Sequence, residues 1–135
     1  MPEPIAIISA KRTPIGGLMG SLSSVSAPKL GAIAINAARE SAGLKISQID
    51  EIIMGCVLSA GVGQAPARQA GFKAGMDKGL EATTINKMCG SGLQAAVMGR
   101  QSIAAGDANI VIVGGPDGRL VCLRGLGRSS GLFKN

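Results

Sequence analysis

The sequence predicts an α/β fold, a mainly parallel sheet with helices on both faces in the order β-α-β-α-β-α-β. Three observations carry this prediction. Four short apolar runs alternate with three stretches of helical spacing. Hydrophobic residues make up 46% of the chain but aromatic residues only 1%, so the core must be built from Ile, Val, Leu, Ala and Met. The 21 glycines suit the close backbone approaches of a layered fold. At 135 residues, one domain with a core of ordinary size is the starting expectation.

Each element follows from its local pattern. Residues 4–10, PIAIISA, are apolar, partly β-branched and stopped by Lys11, Arg12 and Pro14, as in a strand buried on both faces. Residues 15–26 are rich in Gly and Ser and read as a loop. Leu30, Ile33, Ala34, Ala37, Ala38 and Ala42 then recur at helical spacing, and Gly43 stands where a C-terminal cap belongs, which predicts a helix over about 27–42. EIIMGCVLS is the second strand candidate, with Cys56 expected in the core. A glycine loop follows, and Pro66 is well placed to open a short helix, because its missing N–H costs nothing in a first turn. EATTINK is a third, short β-prone piece. From Gly90 a helix of about 17 residues is expected, with Leu93, Ala96, Val97, Ile103 and Ala104 available for its buried side, and NIVIVGG is a fourth strand.

After Gly115 the pattern stops. Residues 116–135 contain four glycines, four basic groups and one acidic group, against ten basic and seven acidic groups in residues 1–115. The reading is a domain over residues 1–115 and a tail over 116–135 without fixed structure, in which Cys122 would be exposed.

Composition also narrows function. A net charge of +6 invites a nucleic-acid reading, but no basic stripe or stacking aromatics accompany it. Cys56, Cys89 and Cys122 form no C-x-x-C pair and the chain has no histidine, so no zinc site is expected and a reducing cytoplasm is the simpler setting. The N-terminus lacks the features of a secretory signal or an Arg-rich presequence, and no run of about 20 apolar residues could span a membrane. Neither a membrane nor a nucleic-acid partner is expected.

The segment most suited to chemistry is Asn86 to Ala96, NKMCGSGLQAA. Cysteine does nucleophilic work as a thiolate, which a helix N-terminus favours through the helix dipole and free N–H groups. Cys89 is predicted to sit there. Gly90, Ser91 and Gly92 would leave room for a substrate carbonyl and could offer N–H donors to an oxyanion. The competing reading is that Cys89 is a packing residue, as free cysteines often are. Gly61-Val62-Gly63 lacks a Walker lysine and Rossmann spacing and reads as a turn. Met88 and Met98 read as packing residues, and Lys11-Arg12 as a solvated strand end.

TINKMCGSGLQAA closely resembles the active-site block of the thiolases, the acetyl-CoA acetyltransferases and 3-ketoacyl-CoA thiolases. IAIISAKRTPIGGLMGSL resembles the family's opening strand and loop, IIMGCVLSAGVGQAPARQA its second strand and following segment, and SIAAGDANIVIVGG the run into its fourth strand. The resemblance thus covers residues 4–115 in order and implies an incomplete, thiolase-like N-terminal half. It also implies that Cys89 is the nucleophile that takes an acyl group from acyl-CoA as a thioester, with its own N–H contributing to an oxyanion hole. Claisen condensation with a second acetyl-CoA, or thiolysis of a 3-ketoacyl-CoA in reverse, would follow. No metal or redox cofactor is implied, coenzyme A thioesters being substrates; which residues hold coenzyme A is not legible. CGSG in place of CSSG leans toward the short-chain, acetoacetyl-CoA type.

The family's activating histidine, its oxyanion asparagine, its second cysteine and its coenzyme A loop lie in a C-terminal half with no counterpart in this sequence, and LVCLRG matches no family motif. The loss of resemblance after Gly115 is expected of a truncated or frameshifted product, inactive as it stands. The alternatives are a non-catalytic half-thiolase that pairs with a complementary or intact chain and, resting only on the basic tail, a nucleic-acid binder. The family implies a homo-oligomer and two halves that share a middle layer of helices. The helix after Cys89, charged only at Arg100 between residues 90 and 106, would expose apolar area alone, with poor solubility as the expected consequence.

Overall fold

A computed structural model describes residues 4–115 and 119–125. The elements are β1 (Ile5–Arg12), α1 (Ala27–Ser41), a 3₁₀ turn (Ile46–Gln48), β2 (Glu51–Gly55), α2 (Pro66–Lys73), β3 (Glu81–Ile85), α3 (Ser91–Ala105), β4 (Ile110–Gly115) and β5 (Arg119–Gly125). They form one five-stranded sheet in the order β1-β5-β4-β2-β3. β2 pairs in parallel with both β3 and β4, whereas β5 runs antiparallel between β1 and β4. The sheet is therefore mixed.

The fifth strand corrects the expectation of a structureless tail from residue 116. Residues 119–125 fill the gap between β1 and β4, two strands that would otherwise leave ladder groups unpaired inside the sheet. Gly115 pairs with Arg119 across a three-residue connection, and antiparallel neighbours need no longer link than that. The signal was faint because the apolar run Leu120–Leu123 is only four residues long. Residues 126–135 of the expected tail lie outside the described residues.

Strand alternation divides the core in two. Ile52, Met54, Ile112 and Cys122 point to the face covered by α1 and α2, where they meet Ala34, Ile35, Ala38, Ala67 and Ala70. Ile53, Val111, Val113 and Leu123 point to the other face, toward Ala95 of α3. Alanine-rich helix faces allow close approach to the sheet. Helix ends follow local chemistry. Gly43 turns left-handed after α1 (φ 67°) and Gly106 after α3 (φ 86°). The hydroxyl of Thr84 in β3 accepts the Ala67 N–H at 3.0 Å in the first turn of α2.

α3 keeps only part of the buried side expected from the sequence, Ala96 and Ile103 packing against the core while Ala104 is exposed. Ser91, Ala95 and Gly99 face the sheet, while Leu93 and Val97 point outward, Leu93 with 75% of its surface exposed. The valines of β4 leave no room for large side chains beneath the helix. A Cβ on Gly99 would lie 2.6 Å from Val113 Cγ1 and 3.2 Å from both Val111 Cγ1 and Leu123 Cδ1. Overpacking of this kind costs about 1–3 kcal/mol and better helix propensity offsets about 1 kcal/mol. Gly99→Ala should therefore lower stability in urea by about 1 kcal/mol, and by no more than about 2. An unchanged midpoint would mean that α3 rides farther from the sheet.

Candidate active site

β2 ends at Gly55 and β3 at Ile85, and the chain leaving β3 turns through Asn86, Lys87, Met88, Cys89 and Gly90 into α3. The turn is densely bonded. Asn86 Oδ1 accepts the Met88 N–H at 3.0 Å, and the Gly90 N–H donates to Lys87 O at 3.1 Å. The Ser91 N–H donates to Met88 O at 3.1 Å. Ser91 Oγ, on a residue only 4% exposed, accepts the Lys87 N–H at 2.8 Å and donates to the same Met88 carbonyl at 2.6 Å. Met88 adopts a left-handed φ of 48°, unfavourable for a side chain without local polar compensation.

Cys89 follows immediately, exposed, two residues before the first residue of α3. It lines a cleft of about 880 Å³ together with Met88, Ser91, Gly92, Leu93, Cys56 and the ends of β1 and β4. The cleft lies beyond the carboxyl ends of the parallel strands, where open α/β sheets bind ligands. Its walls are mostly apolar, with Lys11 and Arg12 at the end of β1 supplying positive charge. Both are exposed, and among the described residues neither forms an ion pair.

Of the N–H groups that the sequence offers to an oxyanion, those of Gly90 and Ser91 are occupied within the turn. The Gly92 N–H has no backbone acceptor among the described residues and borders the cleft. A Cβ at Gly92 would meet nothing nearer than Gly114 at 3.9 Å. Packing does not demand glycine there.

Three expectations about neighbouring residues change. Met88 is 66% exposed and lines the cleft instead of packing in the core, because its left-handed backbone turns it away from the sheet. Cys56 lies just past β2, is only half-buried and also borders the cleft, its N–H donating to Ile85 O at 2.9 Å. Cys122 is fully buried on β5 among Ile112, Ile35 and their neighbours, not exposed in a tail. Met98 packs against the α3-side core, and the Gly61–Gly63 segment is a turn with both glycines left-handed.

Burial pushes the Cys122 thiol up from 9.0 to about 11. Between those values the unfolded chain loses the proton and the folded chain keeps it, so folding stability falls as pH rises from about 9 to about 11. Cys122→Ala should be less stable at neutral pH, through its cavity, but flatter over that pH range. Equal slopes for both proteins in urea melts at several pH values would contradict the assignment.

Sequence reasoning missed the hydroxyl of Ser91 and the carboxamide of Asn86. An Asn two residues ahead of the N–H it accepts is a recognisable turn signal. Gly55 was also legible in principle, since an isolated glycine in a strand marks a close backbone approach. Nothing in the sequence marks Met88 as left-handed.

A nucleophile candidate thus stands on a strand-turn-helix junction of an α/β sheet and opens on an apolar cleft at the strand ends. The family model "Thiolase, N-terminal domain" matches residues 5–117, and the chain belongs to the thiolase family. It is 53% identical over 113 residues to an acetyl-CoA acetyltransferase of Cupriavidus necator, which covers 84% of this chain and 29% of that protein. It is 48% identical over 115 residues to one from Pseudomonas aeruginosa, covering 85% of this chain and 29% of the relative. A protein of Gibberella zeae named as a cytosolic acetyl-CoA acetyltransferase is 50% identical over 114 residues, 84% of this chain and 29% of its own length. The chain thus spans about three tenths of the length of these relatives.

Proposed function

We propose that this chain carries the acyl-accepting cysteine of a thiolase-type acyltransferase. The Cys89 thiolate attacks the carbonyl carbon of an acyl-CoA. The tetrahedral adduct collapses, the bond to the coenzyme A sulfur breaks, and coenzyme A leaves as a thiolate that takes up the proton Cys89 gave away. The acyl group remains as a thioester. One observation carries this reading: Cys89 stands exposed on a hydrogen-bonded turn at the head of α3, facing a cleft large enough for an acyl thioester. The free Gly92 N–H and that of Cys89 itself are the proposed oxyanion donors. No metal or redox cofactor takes part. The names of the relatives support acetyl-CoA as substrate and, for one of them, a cytoplasmic setting.

Carrying the acyl group onward to a carbanion needs a base to remove the α-proton, a contribution of about 10²–10⁴-fold. The 135 residues offer no imidazole for that role, and the Cys122 thiol is sealed in the core. The purified chain should release at most one coenzyme A per molecule from acetyl-CoA and then stop. Continued formation of acetoacetyl-CoA, lost in Cys89→Ala, would overturn the limit to acylation.

A second reading is favoured by the outward apolar side of α3. Leu93, Val97 and the nearby Leu58 and Met88 suit an interface with a complementary or second thiolase chain, in a homo-oligomer or in a non-catalytic module. Co-purification with a histidine-bearing thiolase segment, and turnover restored on mixing, would separate a split enzyme from an inert module. No nucleic acid or membrane enters either reading.

A further inference from the structure

We infer that Ser91 is a positioning residue: its buried hydroxyl, bonded to both the Lys87 N–H and the Met88 carbonyl, holds the left-handed turn that aims Cys89 into the cleft. The inference rests on the reading of Cys89 as acyl acceptor. Its basis is the asymmetry between the two side chains that brace the turn. Asn86 Oδ1 fixes the N–H side of Met88, but Asn86 is exposed, so water can take its place. Ser91 Oγ holds the carbonyl side, beside the Ser91 N–H, from a residue only 4% exposed. Its Cβ is seated against Gly55, where an added Cβ would come within 2.4 Å of it, so the hydroxyl has little freedom to move elsewhere. Without that hydroxyl the Lys87 N–H loses its 2.8 Å acceptor and the Met88 carbonyl keeps only the longer 3.1 Å bond from the Ser91 N–H, which weakens the hold on its left-handed backbone. Cys89, the next residue, turns with it. Misplacing a reacting atom by about 1 Å can cost about 10²-fold in rate.

The test is Ser91→Ala in the full chain, with two readouts at Cys89 and one at Met88. Acetyl transfer from acetyl-CoA to Cys89 is expected to fall about 10–100-fold. Alkylation of the same thiol by iodoacetamide, which needs exposure but no alignment, should change by less than about twofold; general loosening would move both rates together. The backbone chemical shifts and HN–Hα coupling of Met88 should lose their left-handed signature. Transfer and signature both retained would overturn the inference. If the wild-type chain takes no acetyl group, the reading of Cys89 fails, and the positioning claim is decided by the Met88 signature alone. Should Ser91→Ala not fold, adding Met88→Gly, which adopts a positive φ unaided, is expected to restore folding and transfer. A double variant that stays unfolded would count as a refutation.

Discussion

Gly55→Ala should damage fold and site together. A Cβ at this position would stand 2.4 Å from Ser91 Cβ, 2.7 Å from the Ser91 carbonyl carbon and 3.0 Å from Gly92 N. Two of these are backbone atoms of the first turn of α3, so no rotamer change can relieve the clash. Either α3 lifts from the sheet or β2 bends at its end. Overpacking costs about 1–3 kcal/mol, and a contact with fixed backbone belongs at the upper end of that range. Urea denaturation measures the loss. Because Cys89 is anchored to α3 through Ser91, acetyl uptake should fall as well, even under conditions where the variant remains folded. A midpoint and an uptake rate equal to wild type would show that the strand end and the helix do not touch as described.

Cys89→Ala should do the opposite, removing chemistry and sparing the fold. Cys89 is exposed, and its side chain takes part in none of the described hydrogen bonds or core clusters. Substitutions at such positions usually change stability by no more than about 0.5 kcal/mol. Coenzyme A release from acetyl-CoA should nevertheless disappear, since Cys122 is buried with its thiol held neutral and Cys56, though it borders the cleft, is half-buried. Residual stoichiometric release in the variant would move the acyl acceptor to another residue.

Much of this architecture was legible because two periodicities are clean. β2 and β4 are short apolar runs, and their faces alternate between α1/α2 and α3 as a period of two requires. α1 begins and ends within a residue of where its apolar spacing and Gly43 place it. The errors have physical causes. On α3, hydrophobicity nominated Leu93 and Val97 for the sheet side, but steric fit against Val111 and Val113 selected Ser91, Ala95 and Gly99. Size, not polarity, decided the face. β5 escaped because pairing on both edges, which no local pattern records, makes a four-residue apolar run a central strand. At the site, Cys89 and its glycine neighbours were visible in the motif, whereas the left-handed Met88 and the Ser91 hydroxyl are properties of the folded turn.

The apolar side of α3 shapes how the chain should behave in solution. At about 25 cal/mol per Å², covering a few hundred Å² would contribute roughly 5–10 kcal/mol, comparable to the stability of a whole domain. Low solubility alone, relieved by a thiolase partner segment, is the expected consequence.

The central claim is that acyl transfer to this chain begins at Cys89. The most direct test is a peptide map of the chain after brief exposure to acetyl-CoA, with and without hydroxylamine. One acetyl group is expected on the peptide containing Cys89, removed by hydroxylamine as a thioester would be. Acetylation of Cys56 or of lysines alone, with Cys89 unmodified, would contradict it.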